Sequence, residues 1–224
     1  MEGSAQRSES FGVAALLALA GGALDAYTYL CRGGVFANAE TGNIVLLGVC
    51  LARGEWTAAL RYLAPVLAFA MGVLAAERIK SRRRDKAGRL HWRHAALGAA
   101  LALLVLASLI PLGEPDPLVN VLVAFVCALQ VETFRKVRGN AFASTMCTGN
   151  LRSGTEALYQ AAENGDPRAA EKSRYYYGVI LFFIAGAALS GLLAGYFPQH
   201  AILLAAGFQA AAFARMIRLD EKTA

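Results

Sequence analysis

The sequence predicts an all-α integral membrane protein of six transmembrane helices plus two short broken or re-entrant helices, built as an inverted internal repeat. Three observations predict it. The first is composition: of 224 residues, 57% are hydrophobic and 17% charged, where a soluble domain carries roughly 25% charged residues. The second is a set of apolar runs, Phe11 to Cys31, Trp56 to Ile79, His94 to Leu112, Leu118 to Thr133, Tyr175 to Phe197 and Ala201 to Ile217. Most reach the ~17–25 residues that cross a bilayer as helix. The third is a duplication. Gly21 to Asn43, GGALDAYTYLCRGGVFANAETGN, returns in weaker form as Ala128 to Asn150, ALQVETFRKVRGNAFASTMCTGN, with a constant shift of 107 residues from Thr41 to Thr148. Thr41-Gly42-Asn43 falls on Thr148-Gly149-Asn150, Asp25 on Glu132, Tyr27 on Phe134 and Leu30 on Val137, so several residue types fix one register.

These signals divide the chain into a polar N-terminal tail (1–10), a first membrane repeat (11–112), a second (113–217) and a C-terminal tail (218–224). Phe11 to Leu30 is the first span. Its start, FGVAALLALA, resembles the run before a signal-peptidase site, but the apolar stretch continues to Cys31 and into the repeat, which argues for retention. Asp25 lies about 21 Å along the helix from Phe11, still at hydrocarbon depth. A carboxylate there costs a few kcal/mol or more unless it is paired, protonated or faces water.

Arg32-Gly33-Gly34 breaks the helix, Val35 to Glu40 runs extended, and Thr41 reads as the N-cap of IVLLGVCLA. From Thr41 to Ala52 is ~18 Å of helix against a hydrocarbon core of ~30 Å. Such a piece dips in and returns, and irregular backbone at depth is allowed only where protein or water covers it. Trp56 anchors the interface, and Thr57 to Ile79 spans despite Arg61 and Pro65. His94 to Leu112 follows, closed by Pro111, Pro115 and Pro117. The second copy runs from Leu118 through Glu132 to Arg135, Lys136 and Arg138, then to the second TGN, whose helix carries Arg152 and Glu156. Glu163 to Arg174 reads as a charged linker. The last two spans include Gly186-x-x-x-Ser190 and Gly191-x-x-x-Gly195, spacings that let helices approach closely within the bundle, or serve as a homodimer face.

The formal charge of +6 is concentrated in one loop, Lys80, Arg82, Arg83, Arg84, Lys86, Arg89 and Arg93, opposed only by Asp85. That is a cytoplasmic topology signal and argues against a nucleic-acid partner. With both TGN helices re-entrant, the N- and C-termini are cytoplasmic; with both crossing fully, the C-terminal tail moves outside. Cys31, Cys50, Cys127 and Cys147 form no C-x-x-C pair, and His91, His94 and His200 have no third ligand, so neither metal nor cofactor is implied. No H-E-x-x-H, nucleophile elbow or P-loop is present, which argues against an enzyme.

For Asp25 two readings stand: a hydrogen bond to a backbone amide freed where a neighbouring helix breaks, or a proton or cation relay. Glu132 carries the same pair of readings, with Arg135 and Lys136 as helical i+3 and i+4 partners. Thr41 and Thr148 read as caps, and the amides of Gly42, Asn43, Gly149 and Asn150 as a pocket for a polar or anionic group at two opposed helix N-termini. Arg32 and Arg152 read as interfacial anchors. Together these residues favour a small-solute secondary transporter, substrate held between the TGN helices and proton- or cation-coupled through Asp25. A passive channel for a small ion or neutral solute, or a non-transporting assembly module, are the alternatives; the partners are the lipid bilayer and a small molecule or ion.

The pattern GGALDAYTYL…GGVFANAETGNIVLLG followed by QVETFRKV…AFASTMCTGNLRSG resembles the YoaK-like family of bacterial inner-membrane proteins, a domain of unknown function. The resemblance covers Phe11 to Ile217 and implies a six-span inner-membrane protein, with no established substrate. The chain departs from the family's pattern before the first TGN, where Asn38-Ala39-Glu40 stands in place of a Ser-His-Met-like triplet. A change there implies a change in what the loop accepts if it touches solute.

Overall fold

The computed structural model describes residues 10–83, 89–114, 116–134, 136–137, 140–141 and 147–221. The two tails beyond these bounds, Arg84, Asp85 and Lys86 of the basic loop, and Arg135 and Arg138 lie outside the described residues.

Helix α1 (Phe11–Cys31) starts where the Ser10 side chain accepts the Val13 amide and stops at Gly33 and Gly34, whose φ of 82° and 74° few other residues adopt. Helix α2 (Glu40–Ala52) is short and apolar, and turns at Gly54 into α3 (Trp56–Arg83), which carries Pro65 inside it. Helix α4 (Arg89–Ser108) ends three residues before Pro111. Its last turn tightens into Leu109–Leu106 and Ile110–Ala107 bonds, and the residue before a proline disfavours helix, so the apolar run to Leu112 is not all helical. Helix α5 (Asp116–Thr133) is followed by a two-residue antiparallel ladder, β1 (Lys136–Val137) with β2 (Asn140–Ala141). Helix α6 (Cys147–Asn164) comes next. The expected linker Glu163 to Arg174 is mostly helix: only Gly165, at φ 63°, and Asp166 separate α6 from α7 (Pro167–Tyr196). Asp166 accepts the Arg168 amide at 2.9 Å with Pro167 in the first turn, a start that suits proline's fixed φ and missing N–H. Helix α8 (Ile202–Glu221) closes the chain.

The fold is all-helical apart from the ladder. Helices α1, α3, α5 and α7 are long and apolar enough to cross a membrane. Helices α4 and α8 are 20 residues each, with Arg89 and Arg93 near the start of α4 and Arg215, Arg218 and Asp220 near the end of α8.

Helix α1 packs on α7 and α8, as α5 packs on α3 and α4; α2 lies on α3 as α6 lies on α7, and α4 meets α8. Exchanging α1–α4 with α5–α8 maps this set of packings onto itself. The α1–α7 crossing is so close that a Cβ on Gly22 would collide with the Phe183 carbonyl, and one on Gly186 with that of Leu19. At the α3–α5 crossing a Cβ on Gly72 would sit 2.6 Å from Ala128 Cβ and 2.8 Å from Phe125 O. The largest buried cluster joins α1, α4, α5 and α8 through Leu24, Tyr27, Leu104, Val123 and Ile202.

Candidate functional site

The break after α1 leaves backbone that must find partners away from water, and α1 supplies them from its own side chains. Thr28 Oγ1 donates to Leu24 O at 3.0 Å and accepts the Ala37 amide at 3.3 Å. Asp25 Oδ1 accepts the Asn38 amide at 3.0 Å, and Asn38 Nδ2 donates to Gly21 O at 3.4 Å. The segment from Val35 to Ala39 is thereby sewn back along α1, with Val35 and Ala37 fully buried. The hydrogen-bonded reading of Asp25 is therefore present: it holds an amide freed by the helix break.

Arg32 is not an interfacial anchor. It is fully buried: its Nη1 lies 2.7 Å from Asp116 Oδ1 and 2.7 Å from Pro111 O, its Nη2 2.7 Å from Ile110 O, and its Nε 2.7 Å from the Tyr27 hydroxyl. Asn120 Nδ2 donates to the Arg32 carbonyl at 2.8 Å. One guanidinium thus ties the end of α1 to the α4–α5 turn. A second polar tie runs through the bundle, from Gln209 to Gln130 at 3.0 Å and from Gln130 to the Leu17 carbonyl at 3.1 Å.

The sewn segment, α1 and the starts of α2 and α6 enclose a cavity of about 680 Å3, completed by Phe69 of α3 and by Phe183 and Ala187 of α7. Its wall takes Asp25 and Thr41 from the first copy and Thr148 and Gly149 from the second, with Asn38, Glu40 and Cys147 beside them. The two TGN motifs, 107 residues apart, therefore open onto one space.

Other expected site residues fall elsewhere. Asn43 is fully buried and points inward, its Nδ2 donating to Phe36 O at 2.9 Å and to Glu40 Oε2 at 3.0 Å; it braces the loop against the helix. Asn150 is also buried, and neither it nor Gly42 is on the cavity wall. The Gly42 amide bonds to Ala39 O at 3.1 Å, so it is not a free donor. Thr41 is not the cap: α2 begins at Glu40, its N-cap is Ala39 and no side chain caps it. Likewise α6 begins at Cys147, one residue before Thr148. Glu132 is 5% exposed and off the wall, with Lys80 of α3 approaching to 3.9 Å; α5 ends at Thr133, and the expected partner Arg135 lies outside the described residues. The aromatic wall of Tyr29, Phe36, Phe69 and Phe183 carried no signal in the sequence, because its members come from four separate segments.

A family model described as "Protein of unknown function (DUF1275)" matches residues 13–215. No curated protein and no solved structure matches the chain.

Proposed function

We propose that this chain, which belongs to the DUF1275 family, is a secondary transporter of a small solute in the bacterial inner membrane, and that the cavity shared by the two TGN segments is its solute site. One observation carries the reading: residues from both copies of the repeat converge with Asp25 on a single cavity of about 680 Å3, within the roughly 300–1,000 Å3 of ligand pockets. The exchange of packings between α1–α4 and α5–α8 supports two equivalent halves. With α4 and α8 counted as spans, each half crosses three times, so the second is inverted relative to the first and the termini and basic loop are cytoplasmic. Rocking of one such half against the other about a site at mid-depth is the alternating-access scheme. Asp25 is the coupling group, taking up and releasing a proton or cation as the site opens to either side. The chain needs no enzymatic chemistry in this scheme.

The test is uptake by proteoliposomes of a defined mixture of small metabolites and organic ions, followed by mass spectrometry under an imposed proton gradient. At least one solute should accumulate with the parent and with neither Asp25→Asn nor the cavity-filling Ile44→Trp. Flux that runs downhill only and ignores the gradient would identify a channel, and equal uptake by all three proteins would end the proposal.

A further inference from the structure

The cavity wall is unbalanced in charge and in hydrogen-bonding capacity. It takes two carboxylates, Asp25 from α1 and Glu40 from the start of α2, and among the described residues no lysine, arginine or histidine. Four of the other lining residues are aromatic: Tyr29 and Phe36 stack with centroids 4.6 Å apart and planes 17° from parallel, and Phe69 and Phe183 line it from α3 and α7. Two acceptors of the lining residues, Asn38 Oδ1 and Glu40 Oε1, are buried without a hydrogen-bond partner. Asn38 is 4% exposed, and its Nδ2 is committed to Gly21 O, which leaves Oδ1 as the spare group. Buried acceptors without donors are uncommon in folded chains, and each loses free energy that a donor would restore.

Several classes of ligand fit this wall badly. An anion meets two carboxylates and, among the described residues, no cation. A neutral hydrocarbon leaves the acceptors bare, and a small inorganic cation would exchange a full hydration shell for a largely apolar surface. An ammonium group on an apolar body matches every feature: its charge answers the carboxylates, its N–H or polarised C–H groups face the spare oxygens, and ring faces attract it through their quadrupoles. We propose that the cavity takes an amphipathic organic cation, an ammonium on a small apolar body. This rests on the transporter reading of the same cavity and names its substrate class.

The probe is benzyltrimethylammonium, set against its neutral isostere neopentylbenzene and against benzenesulfonate, each titrated into the purified protein in detergent by calorimetry. The cation should bind the parent and the other two should not. Glu40→Gln and Asp25→Asn should each weaken it about tenfold, the loss expected when one charged contact worth ~1.4 kcal/mol is removed. Phe36→Leu, which leaves both carboxylates in place, should also weaken it and serves if a carboxylate variant elutes as aggregate. Binding of benzenesulfonate or neopentylbenzene as tight as that of the cation, or unchanged affinity in Glu40→Gln, overturns the proposal. If a neutral or anionic probe binds and Ile44→Trp abolishes it, the cavity remains a solute site and only the cation class falls. If no probe binds and uptake by liposomes ignores Ile44→Trp, both readings fall together.

Discussion

Asp25 Oδ1 accepts the Asn38 amide, so this side chain has a structural task that does not need a negative charge. Asparagine at the same position retains an acceptor, whereas alanine strands a buried N–H at a cost of ~1–3 kcal/mol. Asp25→Ala should therefore lower Tm in detergent while Asp25→Asn stays near the parent, and both should abolish coupled uptake. An Asp25→Asn protein as unstable as Asp25→Ala would make the charge itself structural. Arg32 is the converse case, a buried charge with no place on the cavity wall. Its three nitrogens serve four oxygens, a fork that a lysine ammonium cannot reproduce. Arg32→Lys should destabilise nearly as much as Arg32→Met, on the order of 3–5 kcal/mol for a broken buried pair; a lysine that restores parental Tm contradicts this. Asp25 could be found from the sequence because a carboxylate inside an apolar run is conspicuous. Arg32 was misjudged because it stands at the end of such a run, and the partners that bury it are 78 to 84 positions away.

At the scale of elements, the sequence located the break after α1, the short α2 and the second TGN helix. It placed their N-terminal caps two residues too late, at Thr41 and Thr148, where the helices begin at Glu40 and Cys147. The extended reading of Val35 to Glu40 did not anticipate the turn formed by the Ala39–Phe36 and Gly42–Ala39 bonds, which begins α2 at Glu40 and leaves Thr41 on the cavity wall. Small-residue spacing in α7 was visible too, but spacing alone could not distinguish its glycines. Gly186 lies at the α1 crossing, where a methyl group would strike the Leu19 carbonyl; a Cβ on Gly191 would first meet Leu30 Cδ1 at 3.7 Å. Gly186→Ala should lower Tm sharply. Gly191→Ala should leave it unchanged or raise it, since alanine is favoured over glycine in a helix by roughly 0.5–1 kcal/mol. Equal responses at the two positions would place the helix crossing elsewhere.

For the whole molecule, the 107-residue shift in the sequence has a counterpart in the packing, since α1 lies on α7 as α5 lies on α3, the first helix of each repeat segment against the third of the other. Those cross-pairings are tertiary and left no trace in local pattern. Neither did the cavity, which forms only when the starts of α2 and α6 are brought together. Among the described residues, length and hydropathy qualify α1, α3, α5 and α7 as candidate spans. If the two TGN segments face one solute cavity across moving halves, a removable bridge between them must block transport, which is read as solute uptake by proteoliposomes after a cleavable bismaleimide has been offered to Thr41→Cys and the native Cys147, with Cys31, Cys50 and Cys127 replaced by alanine. The two sulfurs should be bridged, bridging should stop uptake, and cleaving the linker should restore it. Bridged protein transporting at the full rate, or sulfurs that never bridge, would contradict this arrangement.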